Sequence, residues 1–312
     1  MLTGEQREIV AEARWAEGRG FDQLACGEHL FFHTATPNAF VALAAAAGAT
    51  ERIRLLTSLT IAPLYPAVLL AKLATTLDQV SEGRLDLGLG VGGEYPDEFV
   101  AAGVDVHERG RRTDETIEVL TALWTGAKVD HTGPFTRVPD LALDPQPVQR
   151  PRPPLWMGGR RGRAVRRAGR HADVWLPYLY TPEQLAHSLG EVRAEAEQCG
   201  RDPDTVRGAI FCWGAVGVDD ERARQVAVAA VSEVYQQDFT DLADRYLLAG
   251  SPPRILERLR EYRDAGAETV VFCPGGTGPA RARMLELFAD EVLPGAHAMD
   301  HAAQIVPSAT GS

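Results

Sequence analysis

The strongest constraint in the sequence is an alternation of short apolar runs with longer amphipathic ones, kept up along almost the whole chain. After an opening helix in "TGEQREIVAEARWAEGRG", where Thr3 and Gln6 are spaced as a capping box, "FDQLACGEH" reads as a strand and "NAFVALAAAAGA" as a helix. "IRLLTSLTIAP" is the next strand, and "PAVLLAKLATTLDQVSEG" is a helix that opens at Pro66, sets Leu69, Leu73, Leu77 and Val80 on one face, and stops near Gly83. The strand "RLDLGLG" leads to a helix from about Arg109 to Trp124, with Ile117, Leu120 and Trp124 on one face. A Pro-rich run, "DHTGPFTRVPDLALDPQPVQRPRPP", then breaks the rhythm over about residues 127–153 and reads as a surface insertion with a hairpin. Strand and helix resume through "PLWMGG", "RRGRAVRRAGRHA", "DVWLPY", "TPEQLAHSLGEVRAEAEQCG" and "VRGAIFCWGAVGV". A long helical stretch from about Asp220 to Gly266 precedes the strand "ETVVFC" and a closing helix, "ARARMLELFADEVL".

Strand followed by helix, repeated, lays the strands parallel in a sheet with helices outside it. Seven strands, near residues 21, 53, 84, 154, 173, 206 and 268, fall one short of a (β/α)8 TIM barrel. The predicted fold is an α/β TIM barrel whose first strand is short or missing, because the helix at Thr3 leaves almost no chain before it, and whose insertion follows the fourth strand-helix unit. Residues 1–295 read as a single domain and residues 296–312 as a flexible tail.

Composition removes several classes of function. A chain of 312 residues, 45% of them hydrophobic, buries a large core, and a net charge of −11 is the opposite of a basic nucleic-acid footprint. The most lipid-like run, "AFVALAAAAGA", is too short to span a bilayer, and "MLTGEQREIV" lacks the basic and apolar regions of an export signal, so a cytoplasmic location is expected, with no membrane partner. Cys26, Cys199, Cys212 and Cys273 lack C-x-x-C spacing and read as reduced thiols.

Chemistry is expected where the strands end. Gly88, Gly90 and Gly93 spell G-x-G-x-x-G after a strand, the pattern of a dinucleotide-binding loop. Such a loop needs a helix opening at the third glycine and an acid ending a second strand about 20 residues on. Here Glu94-Tyr95-Pro96-Asp97 follows, and the region at that distance is the helix around Ile117, so the Rossmann reading fails. The anion site suggested instead is "GGRRGRAVRRAGR", in which Gly158 and Gly159 end a strand and a helix follows whose free N–H groups suit a phosphate, with Arg160, Arg161 and Arg163 beside it. Arg166, Arg167 and Arg170 read as a solvated basic face. His29 and His33 are four apart, but they follow a strand, precede Pro37 and find no third ligand at a readable spacing, so no metal is expected.

From about residue 4 to 293 the chain resembles the luciferase-like monooxygenase superfamily, whose members use FMN or the deazaflavin coenzyme F420. The resemblance rests on "AEGRGFDQLACGEHLFF", "TSLTIAPLYPAVLLAKLATTLDQVSEGRLDLGLGVGGEYPDEF", "RTDETIEVLTALW" and "PPLWMGGRRGRAVRRAGRHADVWLP", in that order. It implies that His29 handles a proton, with Glu94 as a candidate acid/base partner lying at, or one residue beyond, a family carboxylate. It further implies cofactor contacts from Glu28, Ser58, Leu59, Thr60, Gly90, Gly92, Gly93, Gly158, Gly159, Arg160, Arg161 and Gly162, and a substrate pocket at Phe31, His33 and Tyr178. The Gly-rich segment would let the cofactor ring lie close to backbone, and a bulge with a cis bond between Ser58 and Leu59 would support the ring's back face. Glu28 stands where the family more often has Asp, and His33 where some F420-dependent sugar-phosphate dehydrogenases carry Trp. The leading expectation is F420-dependent hydride transfer to or from a small organic substrate, on the strength of the basic loop and the acid-His pair. The alternatives are an FMNH2-dependent monooxygenase fed by a separate flavin reductase and a non-catalytic flavin-binding protein. A homodimer is left open.

Overall fold

A computed structural model of the chain describes residues 8–303, which fall into two compact units. The first holds residues up to Tyr178 together with His187–Ala209, and the second holds Leu179–Ala186 together with the residues from Ile210 on. Helices and strands of the first unit follow as α1 (Ile9–Gly18), β1 (Gln23–Cys26), α2 (Ala39–Ala47), β2 (Arg54–Thr57), β3 (Thr60–Ile61), α3 (Ala67–Val80), β4 (Leu85–Gly90), α4 (Pro96–Ala101) and α5 (Arg109–Leu123). After them come β5 (Val129–Thr132), β6 (Arg137–Leu141), β7 (Leu155–Met157), α6 (Gly162–His171), β8 (Val174–Trp175), α7 (Pro182–Gln198) and β9 (Arg207–Val216), the last two divided between the units.

The sheet runs β1-β2-β4-β7-β8-β9 with parallel registers, Leu24 opposite Leu55, Leu55 opposite Leu85, Leu87 opposite Leu155 and Trp156 opposite Val174. Parallel strands with a helix after nearly every one are the TIM-barrel type of α/β fold anticipated from the alternation. Leu55, Leu56, Leu85 and Leu87 are fully buried in its core. The run read as one strand, "IRLLTSLTIAP", is two, since the Ser58–Leu59 bond is cis and separates β2 from β3. The insertion carries the expected hairpin, with β5 and β6 antiparallel.

In α3 the buried face only partly follows the predicted row of large residues, of which Leu77 is buried. Leu69 and Val80 are about half exposed, while Leu70, Ala71, Ala74 and Asp78 are fully buried. Small side chains let α3 approach its neighbours, and Asp78 is inside because it accepts hydrogen bonds from Val148 N (2.7 Å), Gln149 N (3.0 Å) and Gln149 Nε2 (2.7 Å) of the insertion.

In the second unit, Leu248 of β10 (Leu248–Gly250) pairs with Gly214 of β9, and β11 (Ala267–Pro274) also pairs with β9. A Cβ on Gly214 would lie 2.0 Å from the Leu248 carbonyl oxygen, so only glycine admits β10 there. The helices are α8 (Asp220–Tyr235), α9 (Ala243–Tyr246), α10 (Pro252–Asp264), α11 (Gly278–Leu287) and α12 (Leu293–Ala303). Strand β10 and the turns around it interrupt what reads in the sequence as one helical stretch from Asp220 to Gly266. Residues 296–303, read as tail, belong to α12, whose Met299 is buried and whose Gly295 backbone lies so close to Leu256 of α10 that a Cβ would meet its Cδ2 at 2.8 Å. The expected short or missing first strand falls on residues 1–7, and the rest of the tail on 304–312, both outside the described residues. Among the described residues no helix is long and apolar enough to cross a membrane.

Candidate active site

Every residue singled out for chemistry belongs to the first unit. Strand β1 ends at Cys26, which leaves Glu28 and His29 in the loop beyond its C-terminal end. The two side chains have separate partners. Glu28 is buried, and its carboxylate accepts from Asn38 Nδ2 (2.8 Å), from the Tyr65 hydroxyl and from Ile61 N (3.3 Å). Asn38 also caps α2, its Oδ1 accepting from Val41 N at 3.1 Å, so Glu28 joins the start of α2 to β3. Burial pushes the Glu28 carboxyl up from its ordinary value against the lowering effect of these hydrogen bonds, and burial beside Glu28 pushes the Tyr65 phenol up as well.

His29 turns to a residue 69 positions away: its Nδ1 lies 3.2 and 3.3 Å from the two carboxylate oxygens of Glu98. Pro96 opens α4, which puts Glu98 in its first turn, and Glu98 Oε2 also accepts from Leu30 N at 3.1 Å. The Glu98 side chain is wholly buried, whereas the His29 side chain keeps 18% exposure. Phe32 stacks on the His29 ring, with centroids 4.0 Å apart and planes at 13°, and Tyr95 meets Phe32 and His33 edge-on at 6.2 and 5.4 Å. Phe31 is exposed. Sequence reasoning missed Glu98, Phe32, Tyr95, Asn38 and Tyr65. Glu98 alone left a readable signal, as an acid in the first turn of a helix opened by proline.

Glu94 is exposed and accepts a hydrogen bond from the Tyr178 hydroxyl, and the Arg160 guanidinium lies over the Tyr178 ring at 4.5 Å. Burial and the neighbouring Glu94 push the Tyr178 phenol up. Glu94, Tyr178 and Arg160 thus form one group and His29 with Glu98 another.

The glycines have a different task from the one their spacing suggested. A Cβ on Gly88 would lie 2.6 Å from Leu59 Cδ2, one on Gly158 2.5 Å from Leu59 Cδ1, and one on Gly90 3.2 Å from Leu59 Cβ. Three glycines from two strand ends therefore make room for the protein's own Leu59. Gly92 and Gly93 have φ of 59° and 102°, and Gly159 has 104°, conformations that glycine takes without cost. Thr60 is fully buried, and its hydroxyl has no hydrogen-bond partner among the described residues.

At the start of α6, Arg161 is extended and Gly162 begins the helix; Ala164 N donates to the Arg161 carbonyl at 2.7 Å, while the N–H groups of Gly162 and Arg163 precede the first helical acceptor. Arg160, Arg161 and Arg163 are exposed around that turn. Farther along, Arg170 is half exposed and binds Glu195 Oε1 at 2.8 Å, as a solvated helix face would, whereas Arg167, also read as solvated, is mostly buried because it binds Asp114 Oδ1 at 2.5 Å and the Gly110 carbonyl at 3.2 Å.

Residues 1–269 match the family described as luciferase-like monooxygenase. The chain belongs to the luciferase-like monooxygenase family. Among curated relatives of this luciferase-like chain is the oxygenase component of a flavin-dependent trigonelline monooxygenase of Acinetobacter baylyi, 34% identical over an alignment that covers 92% of this chain and 89% of that protein. Among solved structures, monooxygenase RslO1 from Streptomyces bottropensis is similar at 27% identity with a TM-score of 0.82, covering 93% of each chain. An F420-dependent secondary alcohol dehydrogenase, solved with an F420-acetone adduct, shares the fold at 20% identity, with a TM-score of 0.83 over 94% of this chain and 95% of that one. As a luciferase-like enzyme the chain is an oxidoreductase or monooxygenase, with a flavin-dependent monooxygenase among its relatives.

Proposed function

We propose that this luciferase-like chain is the oxygenase component of a flavin-dependent monooxygenase that takes reduced FMN from a separate reductase and acts on a small organic substrate beside His29. The observation that carries the reading is its 34% identity, over 92% of its length, to the oxygenase component of a flavin-dependent monooxygenase. The identity outweighs the lean of the sequence toward F420.

The residues present fit such a group. The unpaired Thr60 hydroxyl offers hydrogen-bonding capacity beside the strand ends, and the turn from Gly158 to Gly162 with Arg160 and Arg161 offers amides and cations to a phosphate. When bound and reduced, FMN supplies the electrons with which dioxygen gives one oxygen atom to the substrate and the other to water. Within that chemistry His29 accepts or returns a proton at its exposed edge, Phe32 covers one face of the imidazole, and Phe31, His33 and Tyr178 border the space for substrate. Ser58 and Leu59, at the cis bond, back the ring site, and Glu28 holds the loop that carries His29. Glu94, through Tyr178, positions that side of the site.

A second reading, F420-dependent hydride transfer, draws on the same turn. Arg160, Arg161, Arg163 and Arg166 spread exposed positive charge beyond the reach of a single phosphate, which suits a cofactor with a longer acidic tail. Titration of the pure protein with FMN and with F420, followed by quenching of their fluorescence, separates the two. Saturable quenching by FMN, with substrate-dependent oxygen uptake when a flavin reductase and NADH are added, supports the monooxygenase. Saturation by F420 alone overturns it, and no binding of either indicates a protein that has left flavin chemistry.

A further inference from the structure

We infer that Glu98 is the positioning residue of this site, fixing His29 in the tautomer that carries its proton on Nδ1, so that the Nε2 lone pair is the atom presented to substrate. Nδ1 lies within 3.3 Å of both carboxylate oxygens of Glu98, and a carboxylate is only an acceptor, so the ring nitrogen facing it must be the donor. Two anchors fix the geometry. Leu30 N donates to the same carboxylate at 3.1 Å, tying it to the backbone next to His29, and Phe32, stacked at 4.0 Å and 13°, hinders the ring from turning over. A turned ring would bring a carbon to Glu98 and leave a wholly buried carboxylate without its donor, which is costly.

The other ionisable groups nearby are engaged elsewhere. Glu28 bonds with Asn38, Tyr65 and Ile61 N, and Glu94 bonds with Tyr178. With Nδ1 committed, Nε2 is the remaining polar atom of a partly exposed ring. The histidine on its own leaves open which nitrogen works, because free imidazole samples both tautomers. Glu98 removes that choice.

The catalytic consequence rests on the proposed oxidoreductase reading, whereas the tautomer itself does not. The test is a long-range proton–nitrogen correlation spectrum of the full-length protein labelled with nitrogen-15 histidine, with His29, one of eight histidines, assigned by its loss in H29A. At a pH where the ring is neutral, His29 should show protonated Nδ1 and unprotonated Nε2. In E98Q the amide carbonyl keeps Leu30 N–H while the amide nitrogen faces Nδ1 as a donor, so the pattern should invert to protonated Nε2. Swapping an orienting carboxylate for its amide is known to leave a site's geometry in place and turn the imidazole to the wrong tautomer. A wild-type spectrum with the proton on Nε2, or an even mixture of tautomers, overturns the inference whatever the variant does. So does an E98Q protein that melts as the wild type does and keeps Nδ1 protonated. Quenching of FMN fluorescence, run in parallel, should be the same in both proteins. If neither quenches, the functional reading fails while the tautomer result stands.

Discussion

Glu28 and His29 are adjacent in the chain, yet Glu28 is buried while the His29 side chain keeps partial exposure. Replacing His29 by Ala should leave FMN binding within a few-fold of wild type and lower turnover by ~10²–10⁴, the usual contribution of a group that moves a proton. Stopped-flow rates with reduced FMN, set against a fluorescence titration, give the two numbers separately, and equal losses in both would assign His29 to binding instead. Glu28 should show itself in stability. Its folded-state carboxyl is held above the ordinary value of 4.5, chiefly by burial, so the native protein binds more proton than the unfolded chain from that pH upward to the raised value. Stability from this group therefore falls as pH rises through the window and is level above it. Glu28→Gln lacks the titration, so urea midpoints should show wild type losing ground to the variant between acid and neutral pH. A constant difference would mean that the carboxyl is not shifted. At this scale the sequence revealed the histidine and the acid before it, because they are neighbours. The true partner of His29 was hidden, because a contact across 69 residues depends on where α4 lands against the loop after β1.

Buried carboxylates also decide how the insertion is held. Glu115 of α5 accepts from Phe135 N and Thr136 N in the turn of the hairpin, the latter at 2.7 Å, and from His131 at 3.3 Å, while Arg112 lies over the Phe135 ring at 4.5 Å. Asp78 of α3 takes the other end at Val148 and Gln149. Asp78→Ala leaves those backbone groups without their acceptor, at ~1–3 kcal/mol for buried groups. Limited proteolysis should then cut between α5 and β7 first, and a wild-type cleavage pattern would show that the clip contributes nothing. The insertion was legible from its prolines, and most strands from their apolar runs. β10 was not, since three residues give no period, although Ser251-Pro252 directly after it is a helix-start signal that divides the long stretch. The face of α3 was read correctly at Leu77 and misplaced at Leu69 and Val80, because large apolar residues were weighted above the alanines that let the helix pack closely.

Across the whole molecule a net charge of −11 coexists with a cluster of exposed arginines at the start of α6. Arg161→Ala should weaken FMN binding, and the loss should be greatest at low ionic strength, where screening is least. A loss indifferent to salt would point to shape as the cause. The family was readable because four segments keep their order along the chain, whereas FMN and F420 present much the same ring and phosphate to such a fold, so the sequence separates them poorly. The packing of Leu59 against Gly88, Gly90 and Gly158 sets a rule for how this protein can diverge. Position 59 and the glycines are not independent letters. Gly158→Ala should be strongly destabilising alone and partly rescued by Leu59→Ala, with a coupling of ~0.5–3 kcal/mol in a double-mutant cycle, and strict additivity would refute the linkage. No such rescue is open to Gly88, whose added Cβ would fall 1.9 Å from the Thr57 carbonyl oxygen. Descendants of this sequence can therefore trade volume between positions 59 and 158 while position 88 stays fixed, and a lineage with a smaller residue at 59 is where alanine should first appear at 158.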